Sequence, residues 1–173
     1  PFAWLIAAVA LLAAVFAAGP AHAQLNVDIN KGFVRPLPIA LPDLHGEVAE
    51  EGKLGADIMS VVADDLERSG LFRPVDKRAF IQDAASLRLG PRFGDWRLIN
   101  AEALVSGNVE LQADGRMQVQ YRLWDVYGEA QMKGTQFNTP PSNWRSIAHR
   151  IADEIYQRLT GEQGYFNTQI VYI

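Results

Sequence analysis

Phe2 to Ala18 is an unbroken apolar run closed by Gly19-Pro20 and followed by Ala21-His22-Ala23, a small-x-small triplet. The pattern predicts the hydrophobic region, helix break and cleavage site of a secretory signal, with Ala21 and Ala23 flanking the cut and Gln24 as the first mature residue. A retained membrane anchor fits less well, because the run is rich in alanine and Gly-Pro stops it sharply. Neither Met nor a basic stretch precedes Pro1, so the signal reads as lacking its first residues.

Period two takes over next. Leu25, Val27 and Ile29 alternate with Asn26, Asp28 and Asn30, the pattern of a strand with one apolar face. Lys31-Gly32 forms a joint, and Pro36, Pro38 and Pro42 make residues 36–42 an edge strand or an extended entry, since proline donates no ladder hydrogen bond. Small and acidic residues fill 43–55. Helical spacing begins at Ala56, with Ile58, Val61, Val62 and Leu66 on one stripe, and ends at Ser69-Gly70. Leu71 to Val75 reads as a short strand. Phe80, Ile81, Ala84 and Leu87 suggest a short helix, residues 90–94 a loop, and Trp96 to Ala101 a second short helix.

The second half is plainer. Leu104–Leu111 and Met117–Trp124 are two strands closed into a hairpin at Asp114-Gly115; on the second, Met117, Val119, Tyr121 and Leu123 face one way. A third strand spans about Gln131–Phe137. Ser142 is the expected N-cap of a helix over Trp144–Leu159, whose stripe is Trp144, Ile147, Ala148, Ile151, Ile155 and Leu159 and which Gly161 ends. Phe166 to Ile173 reads as a fresh strand with no partner. Together the pattern predicts an α/β fold, a two-layer domain with a mixed β-sheet packed against two main helices.

Composition narrows the chemistry. The 173 residues carry 16 basic and 20 acidic side chains, a net charge of −4 and a pI near 5.3, with no basic cluster of the kind nucleic acid requires. Taking away 23 leader residues leaves 173 − 23 = 150, enough for one core-bearing domain. Cysteine is absent, which excludes disulfides, thiol nucleophiles and thiolate metal sites.

Catalytic motifs are thin. Of the three histidines, His22 leaves with the leader, His45 lies in a linker, and His149 reads as a solvated helix residue; none has metal-ligand spacing. Asp64-Asp65 and Asp153-Glu154 read as solvated acidic flanks, because neighbours i and i+1 do not share a helix face. The loop at Gly90–Gly94 lacks a phosphate-binding pattern, and no serine sits in a nucleophile elbow. No catalytic residue, metal or cofactor is predicted, and the chain reads as a non-enzyme. What stands out is the alternating strand ahead of a glycine joint, which could add to another protein's sheet edge or pair with its own sheet.

Gly55 to Phe72, Asp95 to Gly107, Tyr121-Arg122-Leu123-Trp124-Asp125, the helix about Ala148–Glu154 with Leu159-Thr160-Gly161, and Phe166 to Tyr172 resemble, in order and spacing, the TolB amino-terminal domain family of the Tol-Pal system. The resemblance implies a fold similar to anticodon-binding domains, a periplasmic location and a C-terminal β-propeller whose first strand is 166–173. It implies a domain over 35–165 and an N-terminal partner-binding segment over 24–34. By position, the residues that bind the TolA C-terminal domain are Gln24, Leu25, Asn26, Val27, Asp28, Ile29, Asn30, Lys31, Gly32 and Phe33, although the join Phe33–Pro38 is shorter than usual for the family. The propeller would bind Pal, and no nucleic acid would be a partner. The implied role is an adaptor supporting outer-membrane integrity and invagination during division, with protein import as a further role. Two alternatives remain on sequence grounds: an outer-membrane assembly factor with a similar domain, and an exported hydrolase whose catalytic domain lies elsewhere.

Overall fold

A computed structural model describes residues 35–168. The predicted leader, the predicted cleavage residues Ala21, Ala23 and Gln24, the segment through Phe33 and the end of the segment predicted as a final strand lie outside the described residues. Five strands form one mixed sheet: β1 (Leu37–Ala40), β2 (Phe72–Pro74), β3 (Ala103–Leu111), β4 (Met117–Asp125) and β5 (Ala130–Thr139), in the order β2-β1-β3-β4-β5. β1 runs parallel to both β2 and β3, whereas β3-β4-β5 is an antiparallel meander. Helices α1 (Ala49–Arg68) and α4 (Trp144–Thr160) are the long ones; α2 (Ala84–Leu87) and α3 (Phe93–Leu98) lie in the connection between β2 and β3.

The proline-rich entry is not an edge. β1 sits between β2 and β3, all four of its residues buried. Pro38 is tolerated there because its carbonyl, which accepts from Glu102 N at 2.9 Å, points to the β3 side, so its missing N–H falls on that side too. β3 begins only at Ala103, opposite Ile39, and the turn at Asn100 (φ 57°) precedes it, so no ladder bond is lost.

Helix α1 starts seven residues before the apolar stripe announces it. The Glu51 carboxylate accepts the backbone N–H groups of Glu47 (2.8 Å) and Val48 (3.2 Å), satisfying donors that the first turn leaves free. Glu50 and Glu51 also place negative charge at the positive end of the helix dipole. Gly55 is required by contact rather than by turn geometry: a Cβ there would lie 2.2 Å from the Leu44 carbonyl oxygen, so the bare backbone lets α1 seat on the loop after β1.

At the far ends the glycine expectations hold, with Gly70 at φ 74° and Gly161 at φ 81°. Ser142 does not cap α4; it lies in a 3₁₀ turn over Pro141–Asn143, and the N-cap residue is Asn143 with no side-chain bond to the helix. α3 starts at Phe93, earlier than the stripe from Trp96 suggested.

The hairpin is as its alternation requires. Every odd residue from Met117 to Leu123 is buried, and the apolar row packs under Ile58, Val62 and Leu66 of α1 and Ile147, Ile151 and Ile155 of α4. A second, smaller cluster lies on the other side of the sheet, where Leu87 and Trp96 cover Ala40, Leu104 and Val126. The helices therefore fill one face, and the β2–β3 connection covers only part of the other.

Candidate functional site

The residues assigned to partner binding, Gln24 to Phe33, lie outside the described residues, so the described structure fixes only where they join the body. Arg35 pairs with Glu102 at 3.3 Å, and Leu37 N–H donates to Leu71 O at 2.9 Å. The segment thus enters at mid-sheet, at the end where β3 begins and β4 finishes, because Ala103 pairs with Asp125 there and Asp125 with Ala130.

Within the body the polar residues are spent on architecture. Glu51, 5 % exposed, also accepts Leu111 N–H at 2.7 Å, tying α1 to the end of β3; that bond and those from Val48 and Glu47 hold its pKa below the ordinary glutamate value against the opposing effect of burial. Asp65 is not a solvated flank. It is 2 % exposed and lies 2.6 Å from His149 Nδ1, joining α1 to α4, so His149 is equally a packing residue rather than a free one. Asp65 falls in phase with Ile58, Val62 and Leu66, and that phase is the signal in the sequence that marks it as inward.

Glu154 is likewise engaged: it accepts Tyr121 OH at 2.6 Å and Thr135 Oγ1 at 2.7 Å and pairs with Lys133 at 3.3 Å. Burial tends to raise its pKa, but these hydrogen bonds outweigh it and the net shift is downward, while burial and the neighbouring carboxylate push the Tyr121 phenol far up. Its neighbour Asp153 points elsewhere and takes the N–H groups of Phe166 (2.7 Å) and Asn167 (3.2 Å), fixing the turn by which the chain leaves α4. Phe166 to Thr168 accordingly form a bend with no strand pairing.

On the opposite face, Gln82 is 2 % exposed and carries three bonds: its amide nitrogen donates to Gly90 O (2.9 Å), and its oxygen accepts Arg92 N–H (2.9 Å) and Trp96 Nε1–H (3.1 Å). That single side chain organises the β2–β3 connection. Where this cover ends, Asn108, Gln120 and Arg122 floor an open groove of about 360 Å³ walled by Leu87 and Arg88. Among the described residues no group of histidines and carboxylates could hold a metal ion, and no buried side-chain nitrogen or oxygen lacks a partner. The perturbed carboxylates of Glu51 and Glu154 sit in hydrogen-bond sets that join two elements, and those of Asp76 and Asp83 are lowered by local bonds to Arg78 and Ser86, a structural use of charge rather than a poised acid or base.

The comparisons fit this body. The family model for the TolB amino-terminal domain matches residues 25–132. The chain belongs to the TolB amino-terminal domain family. A relative, the Tol-Pal system protein TolB of Paramagnetospirillum magneticum, is 57% identical over 166 residues, covering 96% of this chain and 37% of its own length. The crystal structure of TolB from Acinetobacter baumannii superposes with a TM-score of 0.64 at 28% identity, over 83% of this chain and 33% of that one. The chain spans about a third of the length of these TolB proteins. No helix among the described residues is long and apolar enough to cross a membrane.

Proposed function

We propose that the chain is the amino-terminal part of a periplasmic, non-enzymatic adaptor of the Tol-Pal system, which docks the TolA C-terminal domain through Gln24–Phe33. The observation that carries this reading is the reach of the family match, which begins at Leu25 and so includes the alternating segment ahead of the folded body. A strand of that kind binds by adding to a partner's sheet edge: its backbone provides hydrogen bonds, and Leu25, Val27 and Ile29 fill alternate pockets. The body from residue 35 to 165 gives the segment a fixed point of attachment. Beyond it, the chain leads into a β-propeller that binds Pal, so the whole protein links the inner-membrane partner to the outer membrane and supports its invagination during division and, as a further role, protein import.

The test is a titration of the labelled chain with the TolA C-terminal domain, beside a version lacking Gln24–Phe33. Saturable binding is expected only with the segment present. Equal binding by both versions would remove the segment from the interface, and binding by neither would remove the partner.

A further inference from the structure

The two edges of the sheet differ in how they are closed, and the difference points to a second docking surface, independent of Gln24–Phe33. β2 at one edge has three residues and ends in Pro74, too short to template another strand. β5 at the other has ten residues, and among the described residues nothing pairs with its outer side. The phase of its backbone follows from the hairpin. Gln112 N–H donates to Arg116 O at 2.8 Å and Val126 N–H to Glu102 O at 3.0 Å, so the even residues of β4 bond to β3 and the odd ones to β5. On β5 the odd residues Lys133, Thr135, Phe137 and Thr139 oppose them, which turns the backbone groups of Gly134, Gln136 and Asn138 outward.

Two arginines stand at the ends of this open stretch. Arg158 Nε donates to Met132 O at 3.2 Å, at the register shift opposite Leu123/Trp124, and an Arg116 guanidinium nitrogen donates to Asn138 O at 2.9 Å. Neither arginine has a carboxylate partner among the described residues. A third, Arg150, lies over the Phe137 ring at 4.9 Å, again with no carboxylate. Lys133 on the same strand is paired with Glu154. In a chain of net charge −4, this edge is a local concentration of cations whose charge the domain itself does not neutralise. The six residue steps from Met132 to Asn138 span about 20 Å.

We infer that the outer edge of β5 is a docking edge for an extended acidic segment of a partner protein, about six residues long, which adds as a sixth strand. The N–H and C=O groups of Gly134 and Gln136 supply its ladder bonds. Arg158 and Arg116, which cap the edge when it is empty, turn from the strand carbonyls to the incoming carboxylates, where a bond between opposite charges replaces one from a cation to a neutral carbonyl. The arginines thus have two uses, guarding the edge against indiscriminate pairing and selecting an acidic strand.

The test uses the full chain, isotope-labelled, and a synthetic probe, acetyl-Glu-Val-Glu-Thr-Glu-Val-Glu-amide. Saturable shifts and slowed exchange at the Gly134 and Gln136 amides are expected, weakening as salt is raised. Arg116→Ala with Arg158→Ala should lower affinity about tenfold, the effect of roughly 1.4 kcal/mol of lost charge contact. Gln136→Pro, which removes an outward N–H and no ladder bond, should abolish binding while leaving the far-ultraviolet circular dichroism spectrum intact. The inference is overturned by equal binding of a probe N-methylated along its backbone, or of one with lysine for glutamate. It is also overturned if the two amides are already protected in the free chain, and that protection disappears on deleting residues 24–33 or on dilution, for the edge then belongs to the chain's own strand or to a second copy.

Discussion

The two faces of the sheet are built to different standards. Under α1 and α4, residues from all five strands and both long helices form one continuous apolar core. On the other face, the connection between β2 and β3 covers a cluster of six buried residues with two helices of four and six residues, and a buried glutamine provides much of the order. A helix of one turn cannot hold itself together, since its nucleation is barely repaid by hydrogen bonds, so that cover depends on side-chain ties such as Gln82. The lesson is that one face sets the stability of the domain, whereas the other supports a local arrangement that can open by itself.

Substitutions should separate the two. Ile151→Ala removes a fully buried side chain at the centre of the helix face and should cost about 4 kcal/mol by chemical denaturation, near the upper part of the range for such cavities. Leu87→Ala on the thinner face should cost about 2 kcal/mol, because a four-residue helix can settle into the space; equal losses would erase the distinction.

Glu51→Gln sharpens the comparison at the seam between α1 and β3. It should cost about 2 kcal/mol at neutral pH, since a charged acceptor of three N–H groups is replaced by a neutral one. The sign with pH follows from its lowered pKa. In the native protein, the stabilisation from this carboxylate is present above the glutamate value of the unfolded chain, about 4.3, and is lost as pH falls through the lower folded value. The variant should therefore converge on the native protein in acid, and a constant difference from pH 7 to the acid limb would contradict the assignment.

Gln82→Ala should lower global stability by only about 1 kcal/mol, yet speed amide exchange across residues 80–96 well beyond any change in β4. Uniform acceleration would mean that the second face is as integral as the first.

How much of this was legible in the sequence depended on periodicity. β4 reads directly because Met117, Val119, Tyr121 and Leu123 alternate with polar residues, and the α4 stripe was equally clear. The start of α1 was hidden, since Gly46, Gly52 and Gly55 look like a linker until Glu51 is seen holding the first turn. The central position of β1 was hidden by the prolines in and around it, and the cost of Pro38, the one inside the strand, vanishes only because β3 starts late. The Asp65–His149 tie pairs residues 84 apart, which no local pattern reports. Of the segment proposed to bind a partner, the alternation of Leu25, Val27 and Ile29 shows a strand-forming pattern, but a pattern of that kind does not name what such a strand meets.

The most direct test of the adaptor reading is hydrogen exchange of the full chain with and without the TolA C-terminal domain. The account predicts new protection concentrated in Gln24–Phe33, with the exchange of α1, α4 and the sheet interior unchanged. Protection gained on the body and none in that segment would contradict it.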